Sequence, residues 1–212
     1  MRQKLKLGLY LVTDERLSKG RPTAEIVRAA IRGGVDAVQL RGKDLPIREQ
    51  LAIGRALRAI TREAGVLFIV NDRVDLALAL DADGVHVGQD DLPADAVRRL
   101  VGPDLIVGVS AATIAEARAA LEEGADYIGV GPIWGTATKA DAGEAVGPGL
   151  ITTLKGVVDL PMVGIGGIGA ANAAAVIAAG GDGVAVVSAI VSAADPEAAA
   201  RDLKTRIVAA RG

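Results

Sequence analysis

Three cations and two carboxylates define the chemistry open to this 212-residue chain. Arg41 and Lys43 stand in "QLRGK", Lys139 ends "GTATK", Asp72 closes "FIVND" and Asp91 closes "VHVGQDD". Each follows an apolar run. Lysine and arginine contact phosphate oxygens, and paired acids suit Mg²⁺, which takes carboxylates, waters and substrate phosphates. The plainer alternative is a set of rim salt bridges that contribute little to stability. A second anion site is suggested by "GIGGIG", residues 164–169. Its backbone N–H groups around Gly166 and Gly167 could hold a phosphate, with Ser188 adding a hydroxyl where a short helix begins. A tight turn that needs glycine is the alternative there. The same string formally matches the dinucleotide fingerprint, but it follows the seventh strand, and Asp182 precedes the next strand instead of ending it. Two anion sites, one fit for a diphosphate with a metal and one for a monophosphate, would serve an enzyme that joins two phosphorylated substrates and releases diphosphate.

Those residues need a scaffold that brings distant segments to one rim. Four stretches share a pattern: "GGVDAVQL", "DADGVHVG", "EGADYIGVG" and "AGGDGVAVV". Each has small residues where a helix would end, then Asp, then a short β-branched run. Glycine ends helices at low cost, and unbroken apolar runs fit parallel strands buried on both faces. Strands are expected near 7–13, 35–40, 66–70, 83–87, 105–109, 126–130, 161–165 and 182–187, with Ala-rich helical segments between them. Eight alternating units close naturally into a single-domain (β/α)8 TIM barrel spanning residues 1–212, and an open doubly wound sheet is the runner-up. In such a barrel chemistry sits at the carboxyl ends of the strands. Those ends carry Thr13-Asp14, Gln39 to Lys43, Asn71-Asp72, Gln89 to Asp91, Ser110, Thr136 to Lys139, "GIGGIG" and Val187-Ser188. Asp36, Asp83, Asp126 and Asp182 fall near the strand starts and read as turn and capping residues. Asp14 and Asp90 read as capping or rim residues. His86, the only histidine, lies within the fourth strand and reads as a structural, lumen-facing group.

Composition agrees. Half the chain is hydrophobic but only 2% is aromatic, so the core is Val, Ile, Leu and Ala. A net charge of -2 with no basic run gives little support to nucleic-acid binding. The absence of Cys excludes disulfides and thiolate chemistry. No apolar stretch is long enough to span a bilayer, and the short "LGLYLV" run is not a signal-peptide core, so a cytoplasmic protein is expected.

The stretches "GLYLVTD", "VQLRGK", "NDRVDLAL", "DGVHVGQDDLP", "GVS", "DYIGVGPIWGTATK", "GIGGI" and "GVAVVSAI", in this order, resemble the thiamine-phosphate synthase family over nearly the whole chain. The resemblance implies a (β/α)8 barrel and a Mg²⁺-dependent transferase of thiamine biosynthesis. Such an enzyme joins 4-amino-2-methyl-5-hydroxymethylpyrimidine diphosphate to 4-methyl-5-(2-phosphooxyethyl)thiazole, giving thiamine phosphate and diphosphate. It further implies that Gln39, Arg41, Lys43, Asn71, Ser110 and Lys139 contact the pyrimidine diphosphate, with Gln39 towards the ring. Asp72 and Asp91 would hold magnesium. Thr136 and Thr138 would line the thiazole phosphate side, where Gly167, Val187 and Ser188 would bind the phosphate. The partners expected are small molecules, with neither nucleic acid nor membrane, and a homodimer is left open. A thiazole tautomerase of the same fold would need an acid-base group, often histidine, after the fifth strand, where this chain has Ala111-Ala112-Thr113. A non-catalytic phosphate-ligand binder would have no use for paired acids beside three cations.

Overall fold

Consecutive apolar residues in eight short runs form eight strands, each buried on both faces as parallel strands require. A computed structural model of the protein describes residue 5, residues 7–138 and residues 143–212. The strands are β1 (Leu9–Val12), β2 (Ala37–Leu40), β3 (Leu67–Asn71), β4 (Gly84–Val87), β5 (Ile106–Ala111), β6 (Tyr127–Val130), β7 (Met162–Ile165) and β8 (Gly183–Val186). Every neighbouring pair is parallel, and β8 returns to β1, closing the barrel in sequence order. The open-sheet alternative is thereby excluded, and the expected strands recur within a residue or two.

Around the barrel run α1 (Thr23–Arg32), α2 (Ile47–Ala64), α3 (Val74–Ala79), α4 (Ala94–Val101), α5 (Ile114–Glu122), α6 (Gly149–Lys155), α7 (Ala173–Ala178), α8 (Ser188–Val191) and α9 (Pro196–Ala209). Their ends follow local chemistry. Thr113 caps α5 by accepting from the Glu116 N–H, and Asp195 caps α9 with Pro196 in the first turn. Among the described residues no helix is long and apolar enough to cross a membrane.

Alternation along the strands produces two cores. Leu9, Leu11, Val38, Leu40, Val85 and Val87 point outwards and pack against the helices. Tyr10, Val12, Ala37, Ile69, Tyr127, Val163 and Ala185 fill the lumen. The lumen parity continues to the strand ends, so Gln39 and Ser110 face the same interior as Ala37.

The opposite rim explains the repeated aspartates. Asp36, Asp83, Asp126 and Asp182 each accept from the backbone N–H of the preceding strand, at Leu9, Phe68, Val107 and Met162, over 2.8–2.9 Å. Each also donates its own N–H to the carbonyl of that same residue. The reciprocal pair closes the open start of every odd strand, which would otherwise leave a buried donor unpaired. A helix cation then neutralises each carboxylate: Lys204, Arg58, Arg98 and Lys155 in turn. Arg98 does the most, since it also donates to the carbonyls of Gly102, Leu105 and Gly124. Its side chain is 19% exposed and that of Asp126 only 8%. Arg98→Ala is therefore expected to lower stability by about 3–5 kcal/mol, the scale of breaking a buried pair. A urea melt checks this, and an unchanged midpoint would contradict it.

Candidate active site

A cavity of about 740 Å³ opens at the carboxyl ends of the strands. It gathers Gln39, Arg41, Lys43, Asn71, Asp72, Asp91, Ser110, Thr136, Thr138, Gly167, Val187 and Ser188, which come from seven different strand ends. Lys139 lies outside the described residues.

Asn71 and Asp72 are adjacent in sequence yet both line the cavity. Strand alternation would send one of them outwards. Asp72 instead takes a left-handed backbone, φ 62°, at the exit of β3, and this bend turns its carboxylate back to the mouth. Aspartate is among the few residues that tolerate such a conformation. Its N–H is held by the His86 carbonyl at 2.8 Å. From the next strand end, the Asp91 carboxylate accepts from the Gly88 N–H at 2.8 Å. The Asp91 carboxyl lies close enough to act on the Asp72 carboxyl, as do Lys43 and Arg41.

That contact has a titration consequence. Burial first, then the hydrogen bond and negative charge of Asp91, push the Asp72 carboxyl up to about 6, against the pull of Lys43 and Arg41. A raised acid favours the folded state while it is protonated. Its contribution is fully present below the usual value of 3.8 and is lost as pH rises through about 6. In the metal-free protein, Asp72→Asn should therefore gain melting temperature relative to wild type as pH rises from about 4 to about 7. Parallel melting curves across that range would contradict it. Two neighbouring acids, one of them raised by burial and by the charge of the other, are a fit donor set for Mg²⁺, which needs only one or two carboxylates when phosphates complete its shell. Among the described residues there is no group of three or more His, Asp or Glu side chains that could hold a metal by themselves.

Arg41 is fixed from behind. Its guanidinium donates to Asp14 at 2.9 Å, with Arg41 11% and Asp14 3% exposed. Burial works to raise the Asp14 carboxyl, but the hydrogen bond and charge of Arg16 and the charge of Arg41 hold it below the usual range. Asp14 also caps the 3₁₀ turn Glu15–Leu17 through the Arg16 N–H. The capping reading from sequence is right, while the pairing with Arg41 was not legible there. The β1 loop is in turn tied to the end of α8, where Arg21 donates to the Val191 carbonyl at 2.7 Å.

On the far side, Gly166 and Gly167 both have positive φ, 96° and 62°. A Cβ at Gly167 would lie 2.7 Å from the Gly135 carbonyl oxygen, so glycine is required where the β6 loop crosses. Trp134 packs against the outer core. The lumen floor holds three residues that sequence reasoning did not place in the site: Tyr10, Tyr127 and His86. Their signal is a polar group at an inward position of a strand, and only His86 was noticed.

With this geometry in view, comparison with known proteins is decisive. The pattern of the thiamine monophosphate synthase family matches residues 9–190. The chain belongs to that family. It is 55% identical to a thiamine-phosphate synthase of Moorella thermoacetica over 96% of this chain and 97% of that relative. A thiamine-phosphate synthase of Roseiflexus castenholzii is 56% identical over 92% of this chain and 86% of its own length. The solved thiamine phosphate pyrophosphorylase of Pyrococcus furiosus superposes with a TM-score of 0.91 at 42% identity, covering 98% of both chains. Family membership thus covers the barrel and its whole carboxyl-end rim.

Proposed function

We propose that the chain joins the aminopyrimidine diphosphate to the thiazole phosphate, forming thiamine phosphate and releasing diphosphate. The observation that carries this reading is the convergence of the Asp72–Asp91 pair with Arg41 and Lys43 at one cavity mouth. Family membership supports the same transferase.

The reaction breaks the CH₂–O bond of the pyrimidine substrate, and both electrons leave with the diphosphate. The electron-rich ring spreads the resulting positive charge. Arg41, Lys43 and Lys139 bind the departing group and oppose the negative charge that grows on it. The Asp14 carboxylate keeps Arg41 aimed before substrate arrives, so little reorganisation is needed at the transition state. Asp72 and Asp91 would hold Mg²⁺, which supplies further positive charge against the diphosphate oxygens. Gln39 and Ser110 orient the ring, with Asn71 at the diphosphate side. Thr136, Thr138, Val187, Ser188 and the backbone at Gly167 hold the thiazole phosphate so that its ring nitrogen faces the methylene carbon. That nitrogen attacks with its lone pair and carries no proton, so the step needs no general base.

Incubation with both substrates and Mg²⁺ tests the reading. Thiamine phosphate and diphosphate should appear in equal amounts. Heat of binding without product would mark a phosphate-ligand binder, and conversion of the thiazole substrate alone would mark a tautomerase.

A further inference from the structure

Five side chains from five strands form one continuous hydrogen-bonded line across the lumen floor. Gln39 Nε2 on β2 donates to the Tyr10 hydroxyl on β1 at 2.9 Å. The Tyr10 and Tyr127 hydroxyls meet at 3.0 Å, joining β1 to β6 across the barrel. Tyr127 then meets His86 Nδ1 on β4 at 3.0 Å, and His86 Nε2 meets the Ser110 hydroxyl on β5 at 3.0 Å. Space for the rings is built in. A Cβ at Gly108 would fall 2.2 Å from Tyr127 Cζ, and one at Gly129 would fall 3.1 Å from His86 Cε1. Tyr10 and Tyr127 are 2% and 1% exposed, so each hydroxyl depends on its protein partners.

A hydroxyl has one proton to give, which makes the line directional. In the polarity that leaves every hydroxyl of the line both donating and accepting, Tyr10 accepts from Gln39 and gives its proton to Tyr127. Tyr127 gives its own to His86 Nδ1. A neutral imidazole that accepts at Nδ1 carries its proton on Nε2, which donates to Ser110. The Ser110 proton is left to point into the cavity. At the other end, Gln39 lines the cavity, and with one Nε2 proton given to Tyr10 its Oε1 and second Nε2 proton are left for a ligand. Reversing the Gln39 amide would require every later group to reverse as well.

We propose that Tyr10, Tyr127 and His86 are positioning residues that lock the donor–acceptor polarity of Gln39 and Ser110, so that the site selects a 4-aminopyrimidine over its 4-oxo counterpart. This rests on the function proposed above. An aminopyrimidine offers an amino donor beside a ring-nitrogen acceptor, which matches a carbonyl oxygen beside an N–H on Gln39. A 4-oxo ring offers the opposite pair and would require the whole line to turn round. Burial keeps both tyrosine hydroxyls protonated, Tyr10 and Tyr127 being raised far above the ordinary range chiefly by desolvation.

The test uses the single histidine of the chain. Protein with ¹⁵N-labelled histidine gives one imidazole in a long-range ¹H–¹⁵N spectrum, and the Nε2–H tautomer is expected without any substrate. Tyr127→Phe should release that lock and shift the Nδ1 resonance. It should also raise KM for the aminopyrimidine diphosphate on the order of tenfold, the scale of one lost hydrogen bond, and leave KM for the thiazole phosphate unchanged. Preference over the 4-oxo analogue should fall by a similar factor. Tyr10→Phe breaks the line one step earlier and stands in if the first variant does not fold. An Nδ1–H tautomer in the wild type, or an unmoved spectrum and KM in both variants, overturns the proposal. Because the tautomer is read without turnover, a locked Nε2–H form in a protein that makes no thiamine phosphate would sink the function and leave the polarity of the line standing.

Discussion

Replacing Asp72 and Asp91 together by alanine should abolish Mg²⁺-dependent formation of thiamine phosphate while the barrel stays folded. The charge of Asp91 and burial both already work against the charge on Asp72. Such a pair costs stability unless a cation occupies it, so removing both acids should not unfold the protein. The loss in rate should exceed the 10²–10³-fold that removal of one electrostatic stabiliser typically brings, because the proposed function has both acids hold the metal that serves the leaving group. Steady-state assay at saturating Mg²⁺ beside a thermal melt separates the two effects. Undiminished diphosphate release from the double variant would refute the carboxylate assignment.

Arg41→Ala should have the second-largest effect, lowering kcat/KM on the order of 10²–10³-fold. Two causes act together. The cavity mouth loses the guanidinium proposed to meet the diphosphate. Asp14, 3% exposed, loses one of its two cationic partners among the described residues and keeps Arg16. The variant should therefore melt below wild type, unlike the acid double variant. Arg41→Lys restores charge without the planar fork, and should recover only part of the rate. If Arg41→Ala matched wild type in kcat/KM, the guanidinium would have no place at the leaving group.

The barrel was legible because local signals agree with the global fold. Unbroken β-branched runs marked strands buried on both faces, and the small residues with Asp before four of the runs marked helix-to-strand turns. What the four aspartates do was only half legible. Capping residues could be named from type and position, but the reciprocal bonds from Asp36 to Leu9 and from Asp126 to Val107 depend on which strands become neighbours. The rim was legible for the same reason as the fold, since strand ends sort charged residues to one side. Asp72 shows the limit. Its left-handed turn decides that Asn71 and Asp72 share a cavity, and no spacing in the sequence announces that bend. The floor was harder still. Tyr10 and Tyr127 are separated by 117 positions and meet only because β1 and β6 face each other across the lumen. A tyrosine inside an apolar run looks like any other core residue until its hydroxyl finds a partner.

The central claim is that the paired acids and the adjoining cations bind a metal-bound diphosphate as one unit. Calorimetric titration of inorganic diphosphate into the protein, with and without Mg²⁺, tests it most directly. Wild-type protein should bind diphosphate far more tightly with Mg²⁺ present, and the Asp72→Ala/Asp91→Ala protein should lose that gain but keep the metal-free binding supplied by Arg41 and Lys43. Equal affinity with and without Mg²⁺ in the wild type would contradict the account.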